Sequence, residues 1–324
     1  MYFSIIIPVY NRPDEINALL ESLTRQTNQN FEVILVEDGS SVTCKEVVQG
    51  FTGALTIKYL QQENTGQGFA RNHGMKVAQG DYFLFFDSDC TLPEIYLEKL
   101  HHAILVQRLD AHGGPDDAGE EFSPWQKAMN FSMTSFLTTG GIRGKLKDKS
   151  KYQARGFNMG FSRRVFEKIG GFVHPNMAED IEISLRIKKE GFKLELVEEA
   201  FVFHRRKNTL SSFIRQGFKF GRNRVFIRRY HSDAVKWVHL LPLGFILGIP
   251  LVLAFYFWWP LLSFFLALGY GLWLLLVFLM ASLKYRSFSV GLLAILTSTG
   301  QLCGYGAGLL FESLRLVHQR NTTN

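Results

Sequence analysis

In "YFLFFDSDC", residues 82–90, five apolar or aromatic residues, Tyr82 to Phe86, are followed at once by Asp87, Ser88 and Asp89. A short unbroken apolar run that stops at polar residues reads as a strand buried on both faces. Side chains two apart on a strand share a face, so Asp87 and Asp89 can converge on one cation, or on a phosphate that a cation carries. Hard divalent ions such as Mg2+ and Mn2+ prefer carboxylate oxygens and bridge readily to diphosphate. A bare Asp-x-Asp is also a common turn or helix-cap pattern. Its weight therefore comes from what surrounds it.

Upstream, "FSIIIPV" (3–9), "FEVILVEDGS" (31–40) and "ALTIKYLQQE" (54–63) read as three further strands. Helix-length segments separate them: "RPDEINALLESLTRQ", with Pro13 in its first turn, and "GQGFARNHGMKVAQG", closed by Gly80. This alternation predicts an α/β fold with a mostly parallel, Rossmann-like sheet of βαβ units. In such sheets ligands sit beyond the carboxyl ends of the strands. Asn11 and Arg12, Glu37 and Asp38, and Asp87 and Asp89 all fall there.

Each candidate also carries a plainer reading. Asp38 can accept from a base N–H or ribose hydroxyls, or be a turn carboxylate before Gly39. "PVYNR" (8–12) can be a helix entry with Asn11 as its cap. "ENTGQGFARNHG" (63–74) puts Gly66, Gly68, Arg71 and Asn72 at a helix start. Backbone donors with a guanidinium suit an anion there, although the P-loop lysine pattern is missing.

Residues 110–200 are less regular. "GGPDDAG" (113–119) is turn-like, and 123–152 begins as a helix and ends as a basic loop. "FNMGFSRRVFEKIGGF" (157–172) reads as a strand, a helix and a Gly-Gly stop. "AEDIEISLRIKKEG" (178–191) is a helix whose acidic first turn the helix dipole favours on its own account. "FKLELVEEAFVFHRR" is strand-like and reaches His204, either a structural histidine or a third ligand beside the two acids.

The 324 residues leave room for more than one domain. From Trp237 to Leu283, and again from Ser287 to Phe311, there is no Asp, Glu, Lys or Arg. About 20 apolar residues cross a bilayer, so spans are expected at 238–257, 261–283 and 288–311 within a membrane region 237–314, before a short tail. "WWP" (258–260) suits the first turn. Gly300, Gly304 and Gly308 suit close helix packing in lipid, with a re-entrant third segment as the alternative. The net charge of +7 is largely local: ten Lys or Arg and one acid lie between Arg205 and Lys236. The positive-inside rule keeps that side, and the N-terminal domain with it, in the cytoplasm. Residues 211–236 read as a basic amphipathic region lying on an anionic bilayer, or as a solvated basic face; nucleic acid is not an expected partner. Cys44, Cys90 and Cys303 form no zinc or disulfide framework. The N-terminus leads straight into a strand, so no signal peptide is expected.

Taken in order, "SIIIPVYNR", "VEDGS", "GFARNHG", "FFDSD", "FNMGFSRRVFEKIGGF" and "AEDIEISLRIKKEG" resemble the pattern of glycosyltransferase family 2, over about residues 2–230. The resemblance implies a GT-A catalytic domain at 1–210, inverting chemistry, a nucleoside-diphosphate sugar (most often a UDP-sugar) and Mg2+ or Mn2+. By position, Pro8, Tyr10 and Arg12 would line the base and Asp38 would bind uracil or ribose. Arg71 would contact nucleotide or donor, and Asp87 and Asp89 the ribose and the metal–diphosphate, with His204 as a further metal ligand. Asp180 matches the family's catalytic base, with Glu179 beside it and Arg205 near the diphosphate. Processive relatives carry Gln-x-x-Arg-Trp; here Gln216 is followed by Lys219 and Phe220. Transfer of a single sugar is therefore expected, to a hydroxyl of a membrane-proximal, polyprenyl-diphosphate-linked glycan in cell-surface polysaccharide synthesis at the bacterial inner membrane. Acceptor contacts are expected at Trp125 and Gln216, and around Phe131 and the loop 139–152. Two alternatives stand: transfer to polyprenyl phosphate itself, and a nucleotide-sugar-binding membrane scaffold without turnover.

Overall fold

The computed structural model describes residues 1–117, 119, 122–140, 148–204 and 209–323, with the side chains of 150 and 320–323 left aside. Two compact units emerge, Met1–Gly119 with Arg143–Arg205, and Glu120–Ile142 with Arg206–Asn324.

The first unit begins with strand β1 (Phe3–Val9), helix α1 (Pro13–Thr24), β2 (Phe31–Asp38), α2 (Lys45–Gln49), β3 (Ile57–Gln62), α3 (Gln67–Val77) and β4 (Tyr82–Phe86). After it come β5 (Cys90–Thr91), α4 (Tyr96–Gln107), β6 (Ala111–Gly113) and β7 (Asp116–Asp117). Helices α5 (Pro124–Thr134) and α6 (Phe136–Thr139) then interrupt the unit and belong to the second. The chain returns with β8 (Asn158–Ser162), α7 (Arg163–Ile169), α8 (Glu179–Lys189), β9 (Leu194–Leu196) and β10 (Val202–His204).

Seven strands form one sheet in the order β3-β2-β1-β4-β8-β6-β9. The first four are parallel, β8 runs antiparallel to both neighbours, and β9 is parallel to β6. Strands β1, β2 and β4 are buried along their whole length. Their side chains alternate between two cores, as the period of a strand requires. Ile5, Ile7, Val33 and Leu35 pack with Leu19 and Leu23 of α1 and Leu100 of α4. Ile6, Ile34, Phe83 and Phe85 pack with Ala70 of α3, Val165 of α7 and Ile183 of α8. Covering helices on both faces explain why these strands read as unbroken apolar runs. A second, three-stranded sheet, β5-β10-β7, pairs His204 with Cys90 and Phe203 with Asp117.

The second unit is helical: α5, α6, α9 (Leu210–Phe226), α10 (Leu241–Trp258), α11 (Pro260–Tyr285) and α12 (Phe288–Thr323). Three segments, Trp237–Trp258, Pro260–Tyr285 and Phe288–Gln319, are long and apolar enough to cross a membrane. Pro260 starts α11, where a missing backbone N–H costs nothing. Helix α12 is continuous from Phe288 through the residues expected as a tail, so the re-entrant alternative does not apply. Helix α5 packs Ala128 and Phe131 against Val277, Ala281, Val290 and Ala294. Its Ser132 hydroxyl meets those of Thr297 (2.7 Å) and Ser298 (2.9 Å).

Basic helix α9 lies along α12. Its Arg222 holds the buried Glu312 at 2.8 Å, while Arg215, Lys219, Arg228 and Arg229 stay exposed. The glycines that suggested close packing lie in this seam. A Cβ at Gly308 would stand 2.0 Å from the Phe218 carbonyl oxygen, and one at Gly221 would stand 2.0 Å from that of Tyr305. Backbone cannot yield as a side-chain tip can. Gly308→Val and Gly221→Leu are each expected to lower stability in detergent by about 1–3 kcal/mol, as overpacking does. Gly269→Ala, with nothing within 4 Å of its Cβ, serves as the control. Thermal unfolding of the three variants checks this.

Candidate active site

Because β1 lies between β2 and β4, the ends of three adjacent strands open on the same edge of the sheet. A cavity of about 430 Å³ sits there. Pro8, Val9, Tyr10 and Arg12 line it from the end of β1, Asp38 from β2, and Asp87, Ser88 and Asp89 from β4. Asn64, Gly66 and Gln67 contribute from the start of α3, and Asn176 from the loop before α8.

Asp38 is almost fully buried and already well bonded. Its Oδ1 accepts from Gln62 Nε2 (2.8 Å) and the Thr65 N–H (2.9 Å), and its Oδ2 from the Gly66 N–H (2.9 Å). Glu37 accepts from the Cys44 N–H (2.8 Å) and the Tyr59 hydroxyl (2.9 Å) and points away into the turn. Asn11 does not cap α1 through its side chain: its Oδ1 accepts from the N–H groups of Ser41 and Val42, and Arg12 occupies the cap position. The donor cluster expected at the start of α3 is also spent internally. Thr65 and Gly66 donate to Asp38, Gln67 to Asn176 Oδ1 (3.0 Å) and Gly68 to the Pro175 carbonyl (2.8 Å). These bonds fix the rim of the cavity, and they use the N–H groups that an anion would otherwise take.

Arg71 was expected to touch nucleotide or donor, but it is fully buried and does not line the cavity. Its Nη2 donates to Asp87 Oδ1 at 2.8 Å and its Nη1 to Glu179 Oε1 at 3.3 Å. The guanidinium also lies over the Phe172 ring, 5.4 Å from its centre. One cation thus ties the tip of β4 to the first residue of α8. Burial pushes Glu179 up to about 7, aided by the charge of Asp180 and opposed by Arg71. Burial also raises Asp87; Arg71 opposes this and Asp89 adds to it. Asp180 follows Glu179, its Oδ1 accepting from the Ile181 N–H (2.7 Å) and its Oδ2 from the Gly156 N–H (3.3 Å). Ala178, just before the pair, takes a left-handed φ of 54°. Strained backbone of this kind gathers at functional sites.

His204 reaches the same edge from the small sheet. Its Nε2 lies 3.1 Å from Asp89 Oδ1 and its ring stacks on Phe157 at 4.9 Å. Donor atoms of Asp89, Cys90 and His204 fall within 4.8 Å of one another. The buried Cys90 thiol is directed to the Phe157 carbonyl oxygen at 3.6 Å and reads as core. A carboxylate and an imidazole remain, with Asp87 two residues along, a donor set that fits Mg2+ or Mn2+. Arg205 and residues 141–147 of the loop lie outside the described residues. Trp125 packs beside Met129, Met133 and Phe213, and Gln216 lies on α9; both belong to the second unit. Asn64, Gln67 and Asn176 were not anticipated. Gln67 and Asn176 are 109 residues apart, and no local pattern joins them.

A family model described as glycosyl transferase family 2 matches residues 4–170, more than half of the chain. The chain belongs to this family. An uncharacterized glycosyltransferase of Haemophilus influenzae is 46% identical over 92 residues, 28% of this chain and 31% of that protein. The chain spans between 12% and 31% of the length of the first curated relatives it matches. Among solved structures, the mannosyltransferase PcManGT from Pyrobaculum calidifontis, in complex with GDP-Man and Mn2+, has a TM-score of 0.64 at 17% identity. It covers 93% of this chain and 87% of its own. Residues 1–349 of S. aureus TarS in complex with UDP-GlcNAc give a TM-score of 0.51 at 18% identity, covering 72% of this chain and 73% of that one. At such identities the likeness is one of fold, and the family's GT-A fold is the one seen here.

Two outcomes are expected from the buried charges. Arg71→Met leaves Asp87 and Glu179 without their cation. Stability should fall by about 3 kcal/mol, the low end for a broken buried pair because the Asp87 side chain is 33% exposed; denaturant unfolding measures this. The Glu179 carboxyl rises from 4.5 to about 7 on folding, so the native state binds more protons in that window. Stability therefore falls as pH rises from about 4.5 to about 7. Glu179→Gln should flatten that part of the pH–stability curve.

Proposed function

We propose that this chain transfers one sugar from a nucleoside-diphosphate sugar, a UDP-sugar, to a hydroxyl of a membrane-proximal, lipid-linked glycan, with inversion at the anomeric carbon. One observation carries the reading. The acids at the tip of β4 line the cavity, and buried Arg71 ties one of them, Asp87, to the helix start that bears Asp180. The sheet edge beyond the ends of β1, β2 and β4 is where open α/β sheets take ligands. The neighbours solved with GDP-Man and with UDP-GlcNAc support the donor class.

Pro8, Tyr10, Arg12 and Asp38 receive the nucleoside, and Asn64 and Asn176 close the sides of the cavity. Asp89 and His204, with Asp87, would hold Mg2+ or Mn2+. A divalent ion bound there supplies Lewis acidity toward the leaving diphosphate. Asp180 accepts the acceptor hydroxyl's proton as that oxygen attacks the anomeric carbon from the face opposite the diphosphate. The C1–O bond to the diphosphate breaks as the new C1–O bond forms. N–H groups of Ile181 and Gly156 hold the carboxylate in place for this step. The three apolar helices anchor the chain, with the catalytic unit on the cytoplasmic face and the exposed Arg215, Lys219, Arg228 and Arg229 toward anionic lipid.

Purified full-length protein incubated with UDP- and GDP-sugars, Mn2+ and a membrane lipid extract tests the reading. Asp180→Asn should keep donor affinity while transfer falls at least 100-fold, the scale of a lost general base. Chelation with EDTA should stop turnover. Undiminished transfer by the variant removes Asp180 from the role of base. Product analysis separates a new glycosidic bond from a sugar joined to polyprenyl phosphate.

A further inference from the structure

The turn-like "GGPDDAG" does more than turn. Its Asp116, 4% exposed, stands behind His204 on β7, which pairs in parallel with β10. The imidazole lies between two carboxylates at ion-pair distance: Nε2 lies 3.1 Å from Asp89 Oδ1, and Nδ1 lies 3.6 Å from Asp116 Oδ2. Phe157 fixes the plane of the ring by stacking at an interplanar angle of 28°. Backbone bonds of the two preceding residues hold Asp116: Gly114 N–H donates to the Asn158 carbonyl (3.0 Å), and the Pro115 carbonyl accepts from Val202 N–H (3.2 Å). Gly114 is needed for this approach, since a Cβ there would stand 1.9 Å from the Ala200 carbonyl oxygen.

We propose that Asp116 is the positioning residue of the cation site: its carboxylate keeps the proton of His204 on Nδ1, and so presents the Nε2 lone pair to a divalent ion beside Asp89. The inference rests on the reading of Asp89 and His204 as metal ligands given above. The arrangement is a carboxylate–histidine–metal relay, in which the outer carboxylate settles both tautomer and ring orientation. On the opposite side of the ring, Asp89 can engage the ion together with Nε2.

Mn2+ binding to the detergent-solubilised full chain, read from loss of the free-ion paramagnetic resonance signal, tests this without turnover. Asp116→Asn should weaken Mn2+ affinity by about 10–100-fold, the usual cost of losing such a partner. His204→Ala should also weaken it, and adding Asp116→Asn to His204→Ala should cost nothing more. Wild-type affinity in Asp116→Asn, or an equal further loss in the His204→Ala background, overturns the positioning role and leaves the metal reading intact. If His204→Ala binds Mn2+ as the wild type does, the metal reading itself fails, which is a different signature. Should Asp116→Asn not fold, Asp116→Ser takes its place in the same cycle; its hydroxyl can still accept from Nδ1–H but carries no charge.

Discussion

The site depends on one buried cation. Arg71 has no solvent exposure, and its guanidinium joins Asp87, at the end of a central strand, to Glu179, at the start of a helix 108 residues away from it in sequence. Two acids share one fixed positive charge, Glu179 buried with it and Asp87 facing the cavity. Burial, with the neighbouring charge of Asp180, holds the proton on Glu179 up to about 7 although Arg71 opposes it. The pair cannot drift apart without stranding an ion in the interior, a change that costs several kcal/mol. Distance between the acids of β4 and the start of α8 is thus set by electrostatics as much as by packing.

The same logic recurs at smaller scale around the cavity. Asp38 draws the Thr65–Gly66 turn onto the end of β2, Asn176 grips the Gln67 N–H, and Asn72 bonds both the N–H and the carbonyl of Phe172. Buried polar groups of this kind specify one arrangement because each alternative leaves a donor or acceptor unmade. The start of α3 is therefore built as a rigid wall of the cavity.

Much of this was legible in the amino-acid order, for physical reasons. Strands β1, β2 and β4 are covered on both faces, so each appears as an apolar run, and the polar residue after each run marks the open edge of the sheet. That marked Arg12, Asp38, Asp87 and Asp89, which line one cavity, and Asn11 and Glu37, which do not; Pro8 and Tyr10, implied by the family resemblance, line it too. Arg71 was noticed, but its burial was not, because an arginine beside glycines at a helix start looks equally suited to an anion. Asp116 carries no such mark: a two-residue strand has no periodicity, and His204 lies far along the chain. The long apolar helices were plain from the missing charges. The burial of α5 among them was not, since "SPWQKAMNFSMT" carries only a modest amphipathic pattern.

That placement of α5 matters for how the chain can be divided. Helices α5 and α6 lie between β7 and β8 in the chain yet fold with the C-terminal helices. Cutting the gene after residue 205 to obtain a catalytic piece free of lipid removes Val277, Ala281, Val290 and Ala294, which pack with Ala128 and Phe131, and the Thr297 and Ser298 hydroxyls that meet Ser132. Such a fragment keeps the residues of the cavity but lays bare the apolar face of α5, and it should clump unless that excursion is excised as well.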